Sequence, residues 1–273
     1  MAEADHHRGK INMLSIWQTE FGDGPLVACA VHNGHEVRPE VAVCLRIDAV
    51  QRAYEEDPYT GPWTRIAPTR IVAHRSRFEL DLNRPREKAV YVSPEDAWGL
   101  DVWKCPLEPQ VVEQSLRAYD DFYAHLQFLL ERLAARHGRV VVFDLHSYNH
   151  SREGRSGTPA DPEQNPEINL GTGTMDRERW APLVERWLAE MGSHDYFGRR
   201  LDVRENVRFF GGHLPGWIHQ NFPESVCALA IEVKKFFMDE WSGELNHEQH
   251  AEIQSALSRA AIGVEHELEK LRA

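Results

Sequence analysis

No apolar stretch in this 273-residue sequence approaches the roughly 20 residues that a membrane-crossing helix needs. Positive charge is also short, with 31 Lys and Arg against 43 Asp and Glu and a formal net charge of −12 at pH 7. Nucleic-acid and anionic-membrane surfaces rest on clustered Lys and Arg, so this balance argues against both and favours a small-molecule substrate. Cysteine is scarce: Cys29, Cys44, Cys105 and Cys227 are scattered, with no close pair resembling a zinc knuckle or a redox motif. The first ten residues are polar, unlike a secretory leader. The expectation is a soluble cytoplasmic protein with reduced thiols. Internal repeats and low-complexity tails are absent as well.

What is present is enough apolar residue, 42% of the chain, to bury a large core. Short β-branched or apolar runs alternate with longer helical patterns, which predicts one α/β domain over residues 1–273 with helices on both faces of a sheet. The clearest helix spans about 109–137, where Val112, Leu116, Tyr119, Tyr123, Leu126, Leu130 and Leu133 recur at three and four. Pro109 suits its first turn, and Gly138 suits the residue just past its end. It feeds a strand over 139–145 as a crossover helix would. Two further helices are expected near 177–191 and 247–271. Two stretches earlier in the chain stand apart, 149–174, which has no usable period, and 55–68. Both are expected as loops, the second a surface loop by its Pro58, Gly61, Pro62 and Pro68.

Three apolar runs end in metal-competent side chains. Val27-Ala28-Cys29-Ala30-Val31 leads into His32-Asn33-Gly34-His35-Glu36, residues 140–145 lead into His146-Ser147, and Ala228-Leu229-Ala230-Ile231 leads into Glu232. A catalytic zinc site takes three ligands of His and carboxylate type, leaves a position for water, and needs a carboxylate to move protons. Bland readings stand beside each residue. His32 and Glu36 form a pair common on surfaces, and Pro39 starts a helix just beyond them. His146 fits a satisfied core histidine as well as a ligand at the carboxyl end of a central strand. Glu232 interrupts a buried run and could pair with Lys234, which shares its strand face, whereas Lys235 lies on the other.

Five segments in order are similar to those of the N-formylglutamate amidohydrolase family, distant relatives of the zinc carboxypeptidases and of aspartoacylase. They are His32-Asn33-Gly34-His35-Glu36 with Pro39; Arg75-Ser76-Arg77-Phe78-Glu79-Leu80-Asp81-Leu82-Asn83-Arg84-Pro85; Asp144-Leu145-His146-Ser147; Asn169-Leu170-Gly171-Thr172; and a stretch from Asn206 through Arg208, Gly211 and Gly212 to Ile231-Glu232 and on to Glu240. The resemblance covers about 25–240. It implies a zinc-carboxypeptidase-like fold, a mixed twisted sheet flanked by helices. It further implies that His32, Glu36 and His146 hold one zinc ion and that Glu232 is the general base and acid.

The implied reaction is hydrolysis of the amide of an N-formyl or other N-acyl amino acid. Arg77, Asn83 and Arg84 are the expected handles for the substrate's carboxylate, since a planar guanidinium grips such a group through paired hydrogen bonds. A solvated basic strand edge is the alternative for them. Asp144 or Asp81 would support a ligand histidine, and Arg152 and Arg155 could close over the substrate. The wording departs from the family after the paired glycines, where Gly216 stands in place of an arginine, and at Tyr54-Glu55-Glu56-Asp57-Pro58-Tyr59, where an acid-rich stretch is rewritten. His213, Trp217 and His219 are then candidates to reshape the pocket, beside a satisfied structural role for each. A zinc carboxypeptidase-type peptidase and a non-catalytic binding relative remain alternatives.

Overall fold

The molecule is described by a computed structural model covering residues 16–151, 154, 156–158 and 160–271. Arg152, Arg155 and the first ten residues lie outside these. Strands β1 (Trp17–Glu20), β2 (Leu26–Ala30), β3 (Thr69–Ala73), β4 (Val140–Tyr148), β5 (Ile168–Gly171), β6 (Val203–Glu205) and β7 (Val226–Lys234) form a sheet in the order β1-β3-β2-β4-β7-β5-β6. The inner strands β3, β2, β4 and β7 run parallel, while β1 and the β5–β6 pair are antiparallel to their inner neighbours. The sheet is therefore mixed, as expected.

β2 and β4 are buried along their whole length. That is why they read as unbroken apolar runs: helices cover both faces of a parallel strand. Alternation sorts their side chains. Val141, Phe143 and Leu145 of β4 join Leu229 and Ile231 of β7 in the core beneath helices α5 (Ala181–Ser193) and α7 (His247–Lys270). Val140 and Val142 face the opposite core with Val27, Cys29 and Ala228, under α4 (Pro109–His137) and α6 (His213–Asn221). By the same period of two, Asp144 and His146 continue the second face. The helix expected over 109–137 has those bounds, with Pro109 in its first turn and Gly138 at φ 75° just past its end.

Chain order creates a crevice. From β2 the sheet continues to β3 on one side and to β4 on the other, so the carboxyl ends of β2 and β4 flank a switch point, where open α/β sheets bind ligands. Three short helices, α1 (Pro39–Ala42), α2 (Ala49–Glu55) and α3 (Thr60–Trp63), lie between β2 and β3. Stretch 55–68 is therefore not a surface loop. Glu55, Glu56 and Asp57 are buried there, and Trp63 is fully so. Stretch 149–174 likewise contains β5.

One expectation about the thiols is corrected. Cys44 and Cys105 form a disulfide across 61 residues of sequence, while Cys29 and Cys227 are free and buried. Sequence distance concealed the pair, because the chain folds back so that Leu45 bridges Trp103 and the two cysteine α-carbons lie 5.1 Å apart.

Candidate metal centre and substrate cleft

His32 follows the end of β2 and His146 sits late in β4. Their ring centroids are 4.8 Å apart and both are buried. Between them stands Asp57, held in the turn after α2, where its N–H donates to His32 O. Asp57 Oδ2 is 2.9 Å from His146 Nδ1 and 3.4 Å from His32 Nδ1. Among the described residues, His32, Asp57 and His146 are the group able to hold a metal ion, with one potential ligand atom each and all of these within 4.8 Å of one another.

The outer ring nitrogens face other carboxylates. His32 Nε2 is 2.7 Å from Asp81 Oδ1, and His146 Nε2 is 3.0 Å from Asp144 Oδ1. A histidine that ligates through one nitrogen commonly gives its other N–H to a carboxylate, and His32 with Asp81 shows that pattern, while Asp144 supplies a neighbouring charge to His146. Asp144 is fully buried and neither of its oxygens has a well-directed hydrogen bond. Burial would depress the pKa of His146, but Asp144 and Asp57 override it and hold the imidazole well above its ordinary value. Asp81, despite burial, is held well below the usual carboxylate range by Arg77 and His32. Arg77 offsets Asp81, which leaves Asp57 and Asp144 as the buried carboxylates beside the two imidazoles, a charge that a divalent cation would balance once both rings are neutral.

Glu36 is not in this cluster. Gly34 packs so tightly on the backbone of Arg75 that a Cβ would come within 2.3 Å of its carbonyl oxygen. This close approach runs residues 34–36 alongside 74–76, with the Glu36 N–H donating to His74 O. The Glu36 side chain is left exposed. The carboxylate beside the two histidines is Asp57 instead, from the rewritten acid-rich stretch. A run of three acids beside a proline was the signal, hidden because turn chemistry says nothing of burial.

A cleft of about 660 Å³ opens over this centre. Its lining includes Arg77, Asn83, Arg84, Trp98, Arg208, Phe210 and Glu232. Glu232 is half-buried and partners His146 in the β4–β7 register. Burial pushes its carboxyl up to about 8, a rise that His146 and Arg77 oppose and that Asp57 and Asp144 reinforce. Lys234 does not pair with it, because its Nζ donates to Asn165 O at 2.7 Å. Lys235 Nζ instead donates to the carbonyls of Tyr54 and Glu56, bracing the turn that presents Asp57.

The three expected handles are brought together. Arg77 donates to Asp81 Oδ2 at 2.8 Å and to the Tyr91 hydroxyl at 3.2 Å. Arg84 is half-exposed, 3.9 Å from Asp81. Asn83 is committed within the protein: its Oδ1 accepts from Leu214 N–H, and its Nδ2 lies 3.2 Å from His146 Nε2. His213 also lines the cleft, whereas Trp217 packs on Tyr123 and His219 is held by Thr174 and Ala228. Gly216 lies on α6 beside Thr174.

Histidines able to hold a metal, set in a cleft at the carboxyl ends of parallel strands, define the class as an α/β protein with a ligand site at its switch point. The chain belongs to the N-formylglutamate amidohydrolase family, whose sequence profile matches residues 24–238. An N-formylglutamate amidohydrolase from Ralstonia eutropha JMP134 has a similar structure, with a TM-score of 0.71 at 18% identity, covering 94% of this chain and 99% of that one. A gene product of Agrobacterium tumefaciens is similar over 94% of this chain and 96% of its own, with a TM-score of 0.62 and 18% identity. No functionally curated protein matches the chain in sequence.

Proposed function

We propose that this chain is a zinc-dependent amidohydrolase, with one ion per chain, acting on an N-formyl or other N-acyl amino acid. The observation that carries the reading is the convergence of His32, Asp57 and His146 at the base of a cleft whose wall also presents Arg77, Arg84 and Glu232. Their donor set, two imidazoles and a carboxylate, suits zinc, with Asp81 orienting the His32 ring and Asp144 supplying a neighbouring charge to His146. Zinc bound there would lower the pKa of a coordinated water toward 7 and polarise the amide carbonyl.

The protein's own groups do the rest. Glu232 takes a proton from the attacking water on a carboxylate oxygen and returns it to the departing nitrogen, which cannot leave as an anion. Arg84 and Arg77 hold the substrate's carboxylate, setting the acyl carbonyl toward the histidines. Asn83 serves the cleft by accepting the Leu214 N–H and fixing the start of α6. As the carbonyl oxygen becomes negative, bound zinc and one arginine of the cleft wall would balance its charge.

Elemental analysis of purified protein tests the ligand set. Asp57→Ala and His146→Ala should each lose near-stoichiometric zinc together with hydrolysis of N-formyl and N-acyl amino acids, while Glu36→Ala should keep both. Full zinc occupancy in Asp57→Ala, or its loss in Glu36→Ala, would return the carboxylate role to Glu36. A preference for short peptides over acyl amino acids would favour a peptidase.

A further inference from the structure

Trp98 is anomalous in three ways. It is a large aromatic left 39% exposed, it lines the cleft, and its backbone is left-handed at φ 43°, ψ 38°. That conformation costs a bulky L-residue on the order of 1 kcal/mol or more and persists only where the surroundings fix it. Here they do. A turn with a Ser93–Asp96 capping box precedes it, and Gly99 N–H closes onto Pro94 O at 2.7 Å. The ring stacks on Phe78 at 6.4 Å, meets the edge of Tyr91 at 6.0 Å, and donates its Nε1–H to Glu55 Oε2 at 3.1 Å.

Two cations lie over the held ring. The Arg77 guanidinium carbon lies 4.8 Å from the ring centroid and that of Arg84 lies 5.9 Å from it. Two guanidiniums on one cleft wall repel each other, and Asp81 bonds only Arg77 closely. An aromatic face attracts both through its quadrupole without using any N–H donor. Asp81 and Tyr91 occupy two of the five donors of Arg77, so donors remain for a ligand. A guanidinium held over the ring spends none of its N–H groups there, so they stay available for paired bonds to a carboxylate.

We infer that Trp98 is a positioning residue, setting Arg77 and Arg84 as a preformed receptor for the substrate's carboxylate. This rests on the assignment of those arginines as handles in the proposed function. Trp98 touches no reacting atom in this reading, so it should govern binding of the carboxylate and leave turnover largely alone.

Initial-rate kinetics of the full-length protein on N-formylalanine and N-formylalaninamide test it, with binding read as KM apart from kcat and melting curves confirming that each variant is folded. Trp98→Leu should weaken binding of the acid about tenfold while scarcely moving the amide. Trp98→Phe, which keeps a ring face but has no N–H for Glu55, should retain most of the affinity. In an Arg77→Lys background the Trp98→Leu loss should shrink, since the flat cation it aligns is gone. Equal losses on acid and amide, unchanged acid binding in Trp98→Leu, or a Trp98→Phe variant as weak as Trp98→Leu would each overturn the positioning role while leaving the arginine handles standing. Acid and amide bound alike by the unaltered protein, or acid not bound at all, would overturn the handles and the role of Trp98 with them.

Discussion

Glu232 sits where burial and charge oppose each other, its carboxyl raised by desolvation and drawn down by His146 and Arg77. A carboxylate poised in this way is suited to taking up and releasing a proton near neutral pH, which an amide hydrolase needs at both halves of its reaction. Glu232→Gln should therefore keep zinc and substrate binding yet lose about a hundredfold to ten-thousandfold in kcat. Normal turnover would assign the base elsewhere; a variant without its metal would make Glu232 a ligand. The residues of the centre were unevenly legible. His146 stood out because five apolar residues and an aspartate precede it in a strand, a pattern with few surface explanations. Asp57 did not, because it is brought to the histidines by an N–H bond to His32 O and by a buried Lys235, neither of which leaves a local sequence mark.

At the scale of elements, the strands and long helices were readable because each has its own period, and the order of the sheet placed His146 at a switch point. What escaped was short or set by contacts far apart in sequence. The four-residue β5 is recruited to the sheet by antiparallel pairing with β7, and no pattern of its own announces it. Helix α6 shows how such contacts titrate. His219 is buried on it and its Nε2 accepts the Ala228 N–H at 2.9 Å, so the ring must stay neutral, with Nδ1 toward the Thr174 hydroxyl at 3.0 Å. Burial pulls its pKa down to about 4. In the unfolded chain it titrates near 6.5, so between these values the unfolded state binds the extra proton. Stability is then lost as pH falls from about 6.5 to 4, on the order of 3 kcal/mol from this group. Gln at this position can accept from Ala228 without titrating. Urea unfolding at pH 7 and near pH 4 should show a smaller acid loss for His219→Gln than for the unaltered protein, and equal losses would mean that other titrating groups carry the dependence.

For the whole molecule, the disulfide matters because of what lies between its ends. Residues 44–105 contain Asp57, Arg77, Asn83, Arg84 and Trp98 of the cleft lining, with Asp81 bonded to Arg77, and the strand ends together with residues 208–213 supply much of the rest. Much of that segment is short helix and turn, anchored by a small core of its own around Phe78, Tyr91 and Val102. Closing a loop of 61 residues restricts the unfolded chain by an amount that corresponds to about 4 kcal/mol in the entropic account, with 2–4 kcal/mol typical of measured bridges. Replacing both cysteines, Cys44→Ser with Cys105→Ser, should lower unfolding stability by about 2–4 kcal/mol in urea titrations. The parallel strands hold His32 and His146 independently of the bridge, so zinc should be retained under native conditions. Affinity for the carboxylate substrate should suffer before metal binding does, since the arginine wall is the part the bridge tethers. Thiol counting under denaturing conditions supplies the control, giving two reactive thiols in the oxidised protein and four after reduction. An unchanged urea midpoint in the double variant would show that the small core alone secures the wall. Loss of zinc ahead of substrate affinity would show that Asp57, inside the tethered loop, depends on the bridge more than the arginines do.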